Sequence, residues 1–428
     1  MDSQLQQDGE DSTCCTPRGH RLEVVRIQIL STYFSPEQSG SAPYAAGLAQ
    51  SLSKAHDVTV IAGLPHYPEW RVAAGWRHWR TVERHDGLTI IRLSHYVPSK
   101  QDAIRRGLYE TTWAARALAE GIRHGADVVI GMVPTLLTAQ VAALVARRHG
   151  ASLGLVVQDI VSRAAAQSGM RGGKSAAGLA AMVERSGFKR ADGICTIHPR
   201  FAQVLVDRFD VPPGRVRVIY NWSHIGLPTS DRAATRRRMA WPDGHLIALH
   251  SGNMGLKQDL DQVVAAARLA QSQNAPVRFV LAGDGNQRAR IAAAAGTLTH
   301  LEIRDAVGSD EFPDFLNAAD VLLVNERVGV LEMSLPSKMT SYFAAGRPVV
   351  AATEAGSATA EMLAACGGGI VIRPADPQAL LNAVLRIGAD DGAARDMGLA
   401  GQRFAVGLLD SRSALASYHE WVEELGGS

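Results

Sequence analysis

From residue 24 onward, short apolar runs alternate with stretches of helical period. "VVRIQIL", "DVTVIAG", "LTIIRLS", "DVVIGM", "SLGLVVQ", "GICTIH" and "VRVIYN" are nearly continuous apolar segments, the mark of strands buried on both faces. "APYAAGLAQSLSKA" and "QDAIRRGLYETTWAARALAEGIRHG" between them have amphipathic helical spacing. After "NWSHIGLP", with Pro228, the series restarts. "LIALHSG", "VRFVLAG", "LEIRDAV", "VLLVNE", "PVVAAT" and "GIVIRP" predict strands, and "LDQVVAAARLAQS" and "QRARIAAAAG" predict helices. Two such series predict two doubly wound α/β domains with parallel sheets, over 23–222 and 223–410. Residues 1–22 are polar and predict a disordered tail. The apolar region "ADVVIGMVPTLLTAQVAALVA" is split by Pro134, so it reads as a strand and a helix from about Thr135 rather than a membrane span.

Length and composition agree with this picture. A chain of 428 residues exceeds one ordinary core and suits two domains. It is 46% hydrophobic and 20% charged with a formal net charge of +2, which argues against a general nucleic-acid binder. The short basic run "ATRRRMA" reads as a solvated face. Cys14, Cys15, Cys195 and Cys366 show neither metal-ligand spacing nor a disulfide framework, and the polar first residues lack a signal peptide's apolar run. A reducing cytoplasm is the expected compartment.

Ligands of doubly wound folds bind beyond the carboxyl ends of the strands, which selects a few loops. In "HSGNMGLKQDLD", Gly252 and Gly255 permit close backbone approach and Lys257 supplies a cation, suiting a phosphate. The same stretch also reads as an ordinary strand-to-helix turn with a solvated lysine. Asp259 and Asp261 fall in a first helical turn, where acids favour the dipole, and do not suggest a metal. Gly40 stands just before a helix in the first such loop, and Gly283, Asp284 and Gly285 form a tight turn at a strand end. In "LPSKMTSYFAAGRPVV", Leu335, Pro336 and Ser337 open a helix, Lys338 adds charge, and Ser341 follows one turn later. Two cationic helix-start loops in one domain favour a diphosphate over either loop's bland reading.

The ordered set of motifs, from "YFSPEQSGSAPYAAGLAQ" through "VVQDI", "VIYNWSH" and "SGNMGLKQDLDQVVAAA" to "LAGDG" and "LPSKMTSYFAAGRPVVA", resembles glycosyltransferase family 4. Its nearest likeness is to the branch with colanic-acid-type bacterial glycosyltransferases, over about residues 25–425. The resemblance implies the GT-B fold, two Rossmann-like domains facing across a cleft, with the final helix, 411–425, returning to the first domain. It implies a retaining, metal-independent transfer with no cofactor, from a GDP- or UDP-type nucleotide sugar held by the second domain. Carried over, Lys257 grips the diphosphate, Gly40 lies under it, and the backbone of Val307 meets the base. Gly252, Asn253 and Gly283 line the same site, and Leu335, Pro336, Ser337 and Lys338 hold phosphates and sugar hydroxyls.

The chain departs from the family pattern. An arginine usual before the loop lysine is replaced by Asn253 and Met254, with Lys338 as a substitute charge. The two usual glutamates fall on Met333 and Ser341, with Glu332 beside the first. The usual histidine after the first-domain strand is replaced by Gln158, followed by Asp159, the candidate catalytic base alongside Lys257. Tyr44, His66, Tyr67 and Gln158 are candidate acceptor contacts. The acceptor is a small molecule with an O, N or S nucleophile or a lipid-linked saccharide, and the aromatic, basic loop "GLPHYPEWRVAAGWRHWR" could rest on a membrane surface. A nucleotide-sugar epimerase or a non-catalytic nucleotide-sugar binder is the competing reading.

Overall fold

The computed structural model describes residues 24–427 except 38–39, 68, 86, 100–101, 134, 163–172, 224, 227 and 330–337, so the N-terminal tail lies outside the described residues. The first sheet holds β1 (Arg26–Ser31), β2 (Asp57–Gly63), β3 (Arg80–His85), β4 (Leu88–Leu93), β5 (Val128–Val133), β6 (Ser152–Val157), β7 (Gly193–Thr196) and β8 (Val216–Val218). Around it lie α1 (Ala42–Leu52), α2 (Ala103–Gly121), α3 (Thr138–His149), α4 (Gly173–Arg190) and α5 (Pro199–Phe209). The second sheet holds β9 (Leu246–Ser251), β10 (Val277–Ala282), β11 (Leu301–Arg304), β12 (Val321–Asn325), β13 (Val349–Ala352) and β14 (Gly369–Ile372). Its helices are α6 (Arg232–Arg238), α7 (Asp261–Ser272), α8 (Arg288–Ala295), α9 (Phe312–Ala318), α10 (Lys338–Ala344), α11 (Ala358–Cys366), α12 (Pro377–Gly388), α13 (Asp391–Leu408) and α14 (Ser411–Gly426).

The spatial orders are β3-β4-β2-β1-β5-β6-β7-β8 and β11-β10-β9-β12-β13-β14. Strand order therefore reverses between β1 and β5 and again between β9 and β12, and each reversal leaves a crevice at the carboxyl ends. The cause is visible in the central strands: every residue of β5 is buried, because helices cover both faces.

One element departs from the expected all-parallel pattern. β3 pairs antiparallel with β4 at the sheet edge, through Arg80–Leu93 to His85–Leu88. Its sequence, RTVERH, is mostly polar because an edge strand has only one neighbour and stays half-solvated. The helix expected from about Thr135 starts at Thr138, after a turn in which Thr138 N–H donates to the Thr135 carbonyl (3.4 Å).

α14 ends the chain against the first domain. The Trp421 ring lies over β6 and β7 at two glycines, and a Cβ on Gly154 would come within 2.6 Å of it. Ser51 Oγ and His419 Nε2 are 2.9 Å apart, and Arg217 pairs with Glu424 at 2.7 Å. The second domain thus contributes the last helix of the first domain's cover.

Candidate active site

Two loops of the second domain are stitched together at the β9 reversal. Gly252 N–H donates to the Ala282 carbonyl (2.9 Å) and Met254 N–H to the Asp284 carbonyl (2.8 Å). Gly283 adopts φ 135, and a Cβ there would collide with the Gly252 carbonyl, so only glycine lets the loops approach this closely. Beyond them, a 3-10 turn, Leu256–Gln258, carries Lys257 at the surface. Asn253 is exposed beside it, and the Lys257 carbonyl is fixed by the N–H of Arg327 (2.8 Å). Val307 follows β11, half-buried at the same end of the sheet.

Lys338 opens α10 and points its Nζ at His250 Nε2, 3.3 Å away. A Cβ on Gly252 would lie 3.7 Å from the same ammonium. His250 is completely buried on β9, and burial with the adjacent Lys338 holds it neutral, able to accept from the lysine. Burial in turn pulls Lys338 down to about 7, with Glu326 opposing. Glu326, just after β12, accepts from the hydroxyls of Thr353 and Thr359 (2.8 Å for Thr359). Its pKa is raised by burial, against the pull of those hydroxyls and of Lys338 and Lys257. Ser341 is buried one turn along α10. Glu332, Leu335, Pro336 and Ser337 lie outside the described residues. Asp261 is taken by Arg290, which holds both its oxygens at 2.7 Å.

Across the cleft, Asp159 follows β6, half-buried. Burial lifts its carboxyl to about 6, and the positive field of Lys257 acts in the opposite direction. Lys257 is therefore felt by a carboxylate on each domain, Asp159 and Glu326. Tyr67 is half-buried within the field of Asp159, and Gly40, at φ 65, would put a Cβ 3.4 Å from the Tyr67 ring.

The other candidate acceptor residues are engaged internally. His66 is 2% exposed; its Nδ1–H donates to the Leu64 carbonyl (2.7 Å), leaving Nε2 to accept from the Tyr109 hydroxyl (3.1 Å). Burial lowers it to about 4, so it is neutral. Gln158 and Asn221 exchange two amide bonds (2.7 and 3.1 Å) in the interior. Tyr44 packs edge-on against Trp222, 5.2 Å between centroids, and its hydroxyl is turned toward the Thr340 side chain on α10. Tyr44 is thus a tie between domains.

His250, Glu326 and Glu37 were not among the sequence candidates. Glu37 accepts from the N–H groups of Phe34 (3.2 Å), His66 (2.7 Å) and Tyr67 (2.7 Å), fixing the loops after β1 and β2 to one another. The available signal was a polar side chain at the end of an apolar strand, as in "LIALHS" and "VLLVNE". Arg106 also joins this region, over the Trp70 ring (5.1 Å) and the Tyr109 ring (4.7 Å).

Two doubly wound domains, each with a parallel sheet reversing at its centre, have the architecture of the GT-B glycosyltransferases. Residues 39–222 match the glycosyl transferase 4-like domain and residues 246–390 the glycosyl transferases group 1 domain. The chain is 30% identical over 344 residues to the putative colanic acid biosynthesis glycosyl transferase WcaI of Escherichia coli, covering 77% of this chain and 84% of that one. It is 28% identical to a D-inositol 3-phosphate glycosyltransferase of Streptomyces avermitilis over 48% of this chain and 46% of the other. Among solved structures, sucrose-phosphate synthase from Thermosynechococcus elongatus superposes with a TM-score of 0.75 at 18% identity, over 94% of this chain and 99% of that one. HepE of Anabaena, solved with UDP, superposes with a TM-score of 0.71 at 15% identity, over 94% and 100%. This chain belongs to glycosyltransferase family 4.

Proposed function

We propose that the enzyme transfers a sugar, with retention, from a nucleoside-diphosphate sugar to an acceptor held by the first domain, either a small molecule or a lipid-linked saccharide. The bond between the anomeric carbon and the diphosphate oxygen breaks, leaving an oxocarbenium-like sugar and negative charge on the leaving phosphate. Lys257 and Lys338 take up that charge in place of a metal. The acceptor attacks the same face, and its proton passes to the leaving phosphate oxygen or to Asp159. The observation that carries this reading is the position of Lys257, felt by Asp159 on one domain and Glu326 on the other. The WcaI likeness supports glycosyl transfer, and HepE, solved with UDP-glucose, supports a nucleotide-sugar donor.

Steady-state turnover of Lys257→Ala is expected to fall at least ~100-fold, the scale of losing a preorganised charge. Near-normal turnover would remove Lys257 from the mechanism. Turnover should survive EDTA unchanged, and a metal requirement would overturn the side-chain account. A thermal-shift comparison of GDP with UDP identifies the nucleotide, since a ligand bound to the native state raises the melting temperature. The same reading puts the enzyme on the cytoplasmic side, where nucleotide sugars serve as donors. Among the described residues no helix is long and apolar enough to cross a membrane.

A further inference from the structure

The end of β9 and the start of α10 are locked to one another beside the loop of Gly252. Tyr342, fully buried on α10, takes a hydrogen bond from the Ser251 N–H (2.8 Å) and returns one to the Ser251 carbonyl (3.3 Å). Lys338 lies one turn before Tyr342 on the same face of the helix, so this register carries it over the residues flanking Ser251. One flank is His250, whose Nε2 stands 3.3 Å from the Lys338 Nζ. The other is Gly252, where an added Cβ would lie 3.7 Å from the same atom.

A histidine is out of character at this place. β9 runs between β10 and β12 in the middle of its sheet, and the residues before His250 are Ile247, Ala248 and Leu249, all fully buried. An imidazole in such company loses its water and needs a protein partner. Lys338 supplies it. The dependence runs both ways. Among the described residues His250 is the hydrogen-bond partner of the Lys338 ammonium, whereas Glu326 spends its oxygens on Thr353 and Thr359 and acts on the lysine through its field. Lys257 competes for that field. The next residues of α10, Met339 to Tyr342, bring no charge. Burial keeps His250 neutral, so it offers Lys338 an acceptor without a repelling charge.

We infer that His250 is a positioning residue of the donor site: its Nε2 holds the Lys338 ammonium charged and aimed at a diphosphate lying over Gly252. One N–H of the ammonium goes to the ring, which leaves two for phosphate oxygens on the glycine side. The histidine touches no substrate and acts through the lysine. Its part in catalysis rests on the transferase reading above, in which Lys338 takes up charge on the leaving diphosphate; the pairing of the two side chains does not.

The test compares His250→Phe, which keeps a ring and removes the acceptor, with His250→Gln, whose amide oxygen still accepts. Competitive acylation of the lysines, read by mass spectrometry across about pH 5 to 10, follows Lys338 without any substrate. Its labelling midpoint is expected about one pH unit lower in His250→Phe, the worth of a hydrogen bond to a charged group, with most of the difference restored in His250→Gln. The alkaline limb of the kcat/KM profile should move with it, lowering kcat/KM near pH 8 about tenfold, while the acidic limb set by Asp159 stays in place. On the native chain with isotope-labelled histidine, nitrogen NMR at about pH 7 should find the His250 proton on Nδ1, the signal being assigned by its loss in His250→Gln. A midpoint unmoved or raised in His250→Phe, or a proton on Nε2, overturns the proposal. The tautomer is read on the native chain, so it decides the matter even where His250→Phe does not fold. A midpoint that follows His250 as expected, in a chain whose melting temperature neither GDP nor UDP raises, would sink the donor reading and leave the pairing intact.

Discussion

Asp159 and Lys338 are both held by burial close to neutrality, from opposite directions. The carboxyl is lifted to about 6 and the ammonium lowered to about 7. In the proposed mechanism Asp159 acts as a carboxylate, so activity is expected to rise as pH increases through about 6. Lys338 acts in it as a cation, so activity is expected to fall as pH increases beyond about 7. The kcat/KM profile, which reports the free enzyme, is therefore expected to be a narrow bell between these values. Asp159→Asn should erase the acidic limb and leave the alkaline one, and a profile flat from pH 5 to 9 in the native enzyme would contradict both assignments. These two residues were visible in the sequence as types at loop positions. Their electrostatic state was not, because it depends on burial in the folded chain and on distant charges, Lys257 for Asp159 and Glu326 for Lys338, 98 and 12 residues away.

At the scale of elements, the phosphate-suited turn depends on glycine geometry as much as on its lysine. Gly283→Ala adds a Cβ at φ 135 where the Gly252 carbonyl already sits, so the two loops must part. Nucleotide binding by calorimetry is expected to weaken at least ~tenfold, since preorganised N–H groups lose their alignment. α14 offers a test of packing instead. Trp421 is buried against Gly154 and Gly193, and Trp421→Ala should cost about 3–5 kcal/mol in urea unfolding. The helices and strands themselves were legible because their periodicity is local. β3 was missed because its alternation is weak and polar, and what makes it a strand is β4 alongside, not its own composition.

For the whole molecule, the relation between the domains sets the site. Tyr44 reaches Thr340 from a buried position, whereas Arg200 pairs with Glu361 (2.6 Å) between partly exposed side chains. A buried polar contact contributes up to about 1 kcal/mol and an exposed ion pair less. Tyr44→Phe is thus expected to lower kcat/KM about fivefold, and Glu361→Ala less than twofold, in steady-state assays. The reverse order would mean that the outer pair, not the tyrosine, governs closure.

Apolar periodicity and turn residues by themselves determined two parallel α/β series, their strand-end loops and the lysines those loops carry, since each signal lies within a few residues of chain. Only the tertiary structure decided which candidates remain available. Gln158 and His66 stand at strand-end positions yet spend their polar atoms on Asn221, Leu64 and Tyr109, and Tyr44 turns its hydroxyl toward the other domain. Hydrogen bonds of that kind are made between residues distant in sequence, so the pattern along one chain contains no record of them.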